Sequence, residues 1–247
     1  MNLRMQRLCV WCGPGLILIF MIGFLFVAGL VPPPSPNLGA SEVARFYTEH
    51  QTRIQIGLII SMIGSGLAFP WAAVISVQMR RIEGRRSPLA ATQLTAGGVL
   101  CLLLVFPMFA LSAAAYRPAD RSPEITQALN DLGWLPLVGF VAPPVVQVIA
   151  IALAVFSDKS AEPVFPRWVG YFSLWCAVLL TPGILVIVFH TGPFAWNGIF
   201  AFWLPLTVLG TWFFVMTVPL LQAIKQQERE QESKQSAASA PLSPAGT

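Results

Sequence analysis

The chain has 247 residues, of which 55% are hydrophobic and only 11% charged, and its formal net charge is +4. Water-soluble domains carry roughly 25% charged residues, so a soluble globule built from helices with polar faces is excluded. The positive charge needs no nucleic-acid partner, because its position along the chain accounts for it.

The first apolar run, Cys9–Val31, follows Arg4 and Arg7 in the manner of a signal peptide. It is too long for one and lacks an A-x-A site before the prolines, so it is expected to be retained. Cys9 and Cys12 have redox or metal spacing but no second pair and no neighbouring histidine, and read as packed small residues. The segment Pro32-Pro33-Pro34-Ser35-Pro36 must be extended, since proline fixes φ and offers no donor. Ser41 then reads as an N-cap, with Glu42 in the first turn of a short helix that runs into the second span.

The second run, Ile54–Gln78, repeats small residues every fourth position: Gly57, Ser61 and Ser65 on one stripe, Gly64, Ala68 and Ala72 on the next. That period lets backbones approach closely and predicts the buried centre of a bundle. The third run is Leu94–Tyr116, with Gly97 and Gly98 available for similar packing. After it, Ser122, Pro123 and Glu124 start a helix whose Ile125, Leu129 and Leu132 form one apolar face, predicted to lie on the membrane or over the bundle. The remaining runs are Leu135–Phe156, Trp168–Phe189 and Trp196–Leu221. Residues 225–247 mix Gln, Glu, Lys, Ser, Ala and Pro with no apolar surface to bury, and read as a brief continuation of the sixth helix followed by a disordered tail.

Each of the six runs can cross a hydrocarbon core of about 30 Å, and none contains Asp, Glu, Lys or Arg. The fold class predicted is therefore all-α: an integral membrane bundle of six transmembrane helices over residues 1–224, with short capped helices in the outer loops. Eleven of the fifteen Lys and Arg fall on the side of the N-terminus, most tellingly in the Arg80–Arg86 turn. This predicts that both termini are cytoplasmic. Trp11 and Trp168 would mark the inner boundary, and Trp134 and Trp196 the outer one.

Chemistry is sparse. Pro70, Pro107, Pro143 with Pro144, Pro182 and Pro205 interrupt the last five spans, and each frees a backbone carbonyl. In lipid those carbonyls need partners, which points to a non-cylindrical interior with a pocket near mid-depth. Gln147, three residues beyond Pro144, must find a hydrogen bond and reads either as interhelical glue or as a ligand contact. A ligand set of Gln147, Pro143, Pro144, Pro107 and Pro182 follows. The two histidines, His50 beside Glu49 and His190, fall at the outer ends of spans 2 and 5, where a metal or haem could be held if those ends met. Proton coupling is disfavoured because no ionisable group enters a span. No cofactor motif and no ATP-binding sequence is present.

The segments Ser41-Glu42-Val43-Ala44-Arg45-Phe46-Tyr47 with His50, Gln78-Met79-Arg80-Arg81-Ile82-Glu83-Gly84, Tyr116-Arg117-Pro118 and Leu129-Asn130-Asp131-Leu132-Gly133-Trp134 resemble those of a family of uncharacterised bacterial six-span integral membrane proteins. The resemblance implies a bacterial cell membrane and transfers no activity. The function expected is a non-enzymatic bundle that binds an apolar small molecule, a lipid or another membrane protein, with the bilayer as its main partner. An uncoupled carrier for neutral solutes is the alternative, with its pocket at the proline breaks. A third reading is an outer-face enzyme using His50, Glu49, His190 and Asp120 or Asp131.

Overall fold

A computed structural model of the protein describes residues 2–84 and 86–239. Met1, residues 240–247 and Arg85 of the orientation-setting turn lie outside them. The described chain is helical without strands. Its helices are α1 (Leu3–Met21), α2 (Ala40–Glu49), α3 (Gln51–Ser65), α4 (Ala68–Glu83), α5 (Pro88–Tyr116), α6 (Pro123–Gly139), α7 (Ala142–Ser157), α8 (Arg167–Leu180) and α9 (Leu204–Ser239). Six stretches are long and apolar enough to cross a membrane, which makes this a multi-pass membrane protein in contact with lipid.

The spans form a ring in chain order. α1 packs on α3 and α4, these on α5, α5 on α6 and α7, α7 on α8, and α8 on α9, which closes back on α1. The predicted small-residue seam lies where spans 1 and 2 cross. A Cβ on either Gly23 or Gly57 would collide with the other's carbonyl oxygen. Ser61 Oγ reaches Gly57 O at 2.9 Å and Phe20 O at 3.2 Å, and Ser65 Oγ donates to Ser61 O at 2.8 Å. Gly64 faces Ile19, Ala72 faces Gly97 across to α5, and Ala68 is buried. Without a hydrophobic drive between helices in lipid, such close backbone packing supplies the cohesion.

Prolines act differently in each span. Pro70 cannot donate to Gly66 O, and span 2 breaks into α3 and α4 there, with Phe69 N–H taking that carbonyl at 3.3 Å. Pro143 and Pro144 sit in the first turn of α7, after a break at Phe140 and Val141. Pro182 opens a 3₁₀ segment, Thr181–Ile187. Pro205 begins α9 after a π-helical turn, Ile199–Trp203. Pro107 departs from expectation: α5 runs through it unbroken. Span 1 has a π-helical turn at Ile22–Val27. It ends at Gly29, whose φ of 68° only glycine adopts readily, while Arg53 Nε donates to Val27 O at 3.0 Å.

Several sequence expectations need correction. α2 is capped at Gly39 rather than Ser41, because the Glu42 carboxylate accepts from Gly39 N–H at 3.1 Å. α6 does not lie over the bundle as a separate helix; it is the first half of span 4. Its buried face is Thr126, Asn130, Gly133 and Trp134, while Ile125 and Leu132 are exposed. Trp134 and Trp196 are buried inside the protein and do not form a lipid belt. The predicted tail is helical through Ser239, and residues 240–247 lie outside the described region.

That last difference has a clear cause. Gln78 Nε2 donates to Gln6 Oε1 at 2.6 Å and to Gln227 Oε1 at 3.0 Å. Arg81 donates to Gln78 Oε1, to Ala223 O and to Glu230, and Arg7 pairs with Glu228 at 2.7 Å. The polar residues beyond Lys225 thus tie the ends of α1, α4 and α9 together at what we call the terminal face. Beside them Asp158 accepts from Ser160 Oγ, Ser160 N and Val164 N. Burial alone would raise its pKa, but these hydrogen bonds, with Arg81 nearby, prevail and hold the carboxyl below its ordinary value.

Candidate functional site: an apolar chamber inside the ring

The departures from α geometry converge on one place. Phe24 of the first π turn, Phe140 and Val141 of the span 4 break, Leu180 at the start of the 3₁₀ segment, and Ala201 and Phe202 of the second π turn all line a cavity of about 100 Å³. Leu103 and Leu104 of α5 and Leu206 and Leu209 of α9 complete its walls. A second cavity of about 210 Å³ shares Phe20, Met21, Leu104, Leu206 and Leu209 with the first. The two cavities adjoin along these five residues and are called below the two lobes of a chamber. Every side chain lining the first lobe is apolar. In the second, the Thr207 hydroxyl is already engaged with Trp203 O and Leu204 O, both at 2.9 Å. Apolar cavities of this size stay dry and accept hydrocarbon-like guests.

The face opposite the termini is closed by a strap. Residues 32–39 cross from span 1 to α2, and Trp196 Nε1 donates to Pro34 O at 2.7 Å while Gln127 Nε2 donates to Leu38 O at 3.0 Å. Beneath it Tyr47 OH donates to Asn130 Oδ1 at 3.1 Å, and Asn130 Nδ2 donates to Asp131. Burial, reinforced by Asp131, pushes the Tyr47 phenol well above its usual pKa, so it remains a neutral donor. Trp134 stands edge-on to Phe24 at 5.7 Å and to Phe202 at 6.0 Å, behind the wall that those two rings form.

Of the ligand set read from sequence, Pro144 lines the chamber. Pro143 lines a separate open groove with Ala91, Thr92 and Val146. Pro107 and Pro182 line neither lobe, although Leu180 next to Pro182 does. Gln147 of α7 is buried against α4 and α5 with its amide nitrogen over Gly97; that nitrogen has no partner among the described residues, and neither polar atom of buried Gln93 has one there. His50 caps α2, its Nδ1 lying 3.0 Å from Phe46 O and its ring beside Phe46. Glu49 lies 4.0 Å from Arg45, and His190 is exposed after the 3₁₀ segment. Among the described residues no group of three or more His, Cys, Asp or Glu is placed to hold a metal ion. The four cysteines are free thiols.

The chamber's main wall residues, Phe20, Phe24, Leu104, Phe202, Leu206 and Leu209, escape sequence reasoning. Each is an apolar residue in an apolar run, and π turns leave no compositional mark. Pro205 and the break-prone Pro143-Pro144 pair are the only local signals. No protein-family model matches the chain, and no curated protein and no solved structure matches it either.

Proposed function

We propose that this is a non-enzymatic membrane bundle that binds an apolar molecule in the chamber between its spans. The supporting observation is the lining itself: five spans contribute walls, and no side chain in them offers an unsatisfied hydrogen-bonding group or a charge to a guest. Such a surface discriminates by shape and hydrophobicity. Excess Lys and Arg on the terminal face assign that face to the cytoplasm, with both termini inside a plasma membrane; the resemblance supplies a bacterial setting.

Native mass spectrometry of the protein released from its membrane in mild detergent tests this reading. Wild type is expected to retain an apolar adduct, and Leu104→Trp, which fills the junction of the two lobes, to lose it while keeping its helical content. Wild type without an adduct, or an equal adduct on both proteins, refutes it.

A further inference from the structure

The chamber has an asymmetry that bears on where its guest comes from. Its route to water on the terminal face is blocked by the Gln6–Gln78–Gln227 triad and the Arg81 and Arg7 contacts. On the other face the strap is pinned at Pro34 and Leu38. The side formed by spans 5 and 6 has no such hydrogen-bonded closure among the described residues. Span 6 is the least buried of the six, with 28% of its most apolar window buried against 67% in span 4.

Between α8 and α9 a crevice of about 160 Å³ lies on the far side of span 6 from the chamber, lined by Phe172, Trp175, Cys176 and Leu179 of α8 and by Thr207, Val208 and Thr211 of α9. Thr207 belongs to the walls of both the crevice and the second lobe. It is exposed, and its hydroxyl is turned back onto its own helix. Gly210, one turn on, lines the lobe too, and a Cβ there would touch nothing within 4 Å. Thr207 and Gly210 are thus the small residues that span 6 sets into this wall beside its Leu206, Leu209 and Phe213.

Resting on the reading of the chamber as an apolar binding site, we propose that its guest is a hydrocarbon chain of a bilayer lipid, admitted sideways between spans 5 and 6 past Thr207. A chain reaching the chamber this way never crosses water, so no polar route is required. The hydrogen-bonded closures at both faces then serve to keep water out of a cavity that must stay dry. Thr207 is the partition, and its size sets how readily a chain passes.

The test uses the full-length protein in vesicles that contain a phosphatidylcholine with a photoreactive diazirine on one acyl chain. Adducts are mapped by peptide mass spectrometry after timed illumination. Wild type is expected to acquire adducts at Met21, Leu104 and Leu206. Thr207→Phe is expected to slow this several-fold, Thr207→Gly to speed it, and Trp196→Phe, which unpins the strap, to leave it unchanged. Unaltered labelling in both Thr207 variants overturns the route, as does acceleration by Trp196→Phe alone. Suppose chamber residues stay unlabelled while a small aromatic such as benzene still raises the melting temperature of wild type but not of Leu104→Trp. Then the lipid source is wrong and the apolar site survives. If benzene has no effect either, the site itself fails.

Discussion

At the scale of single residues, the most consequential contacts are those where a side chain is missing. Gly57 and Gly23 allow spans 1 and 2 to meet backbone to backbone, and Ser61 fastens that crossing. Gly57→Val forces a branched side chain onto the Gly23 carbonyl and is expected to cost about 2 kcal/mol or more, measured as a lowered denaturation midpoint in detergent; a midpoint equal to wild type contradicts the crossing. Gln147 makes the reverse case. Its amide nitrogen is buried without a partner among the described residues, and an unsatisfied buried donor costs about 1–3 kcal/mol. Gln147→Leu is therefore expected to leave stability equal or higher and ligand retention unchanged, whereas a clear loss in either would restore Gln147 as a ligand contact or glue. The small-residue stripes of span 2 were legible from spacing alone, because close packing demands residue size. The role of Gln147 was not, because a lone polar letter in an apolar run does not say which neighbours it meets.

At the scale of elements, the proline positions forecast interruptions correctly in spans 2, 4, 5 and 6 but not in span 3, where the helix closes around Pro107. Proline removes one donor, and whether a helix breaks depends on the neighbours that take up the freed carbonyl. The extension of α9 was hidden for a similar reason: its Gln and Glu residues have no apolar face, and they are held by partners more than a hundred residues away in α1 and α4. Replacing Gln78 by Leu strands the side-chain oxygens of Gln6 and Gln227 and leaves Arg81 with Ala223 O and Glu230. The expected cost is about 1–3 kcal/mol, read as lower thermal stability together with faster proteolysis beyond Lys225; unchanged proteolysis would show that α9 is held by something else. The neighbouring Asp158 gives a pH signature. Its pKa in the folded protein is lowered, so its contribution is complete at neutral pH and is lost as pH falls through that lowered value, below the ordinary carboxylate pKa of about 3.9. The stability difference between wild type and Asp158→Asn should thus be largest near neutrality and vanish in acid; a difference independent of pH would exclude the ionised Asp158 contacts.

At the scale of the whole molecule, six apolar spans close into a ring, tied by hydrogen bonds at both faces and most exposed along span 6. Hydropathy alone was enough to read the six crossings, because a bilayer admits few other solutions. The chamber was not legible, because it arises from four spans leaving α geometry toward a common interior, which no local pattern encodes. Orientation is open to direct test in a variant without Cys9, Cys12, Cys101 and Cys176: Arg121→Cys should react with an impermeant maleimide in intact cells, and Arg86→Cys only after permeabilisation. The reverse pattern would place the strap face in the cytoplasm. A density map of the protein in lipid nanodiscs tests without intermediaries whether the chamber holds a guest. An elongated density threading both lobes, against Phe20, Leu104 and Leu206, is the predicted result; spans 3 and 6 collapsed onto one another, with no space between them, would contradict it.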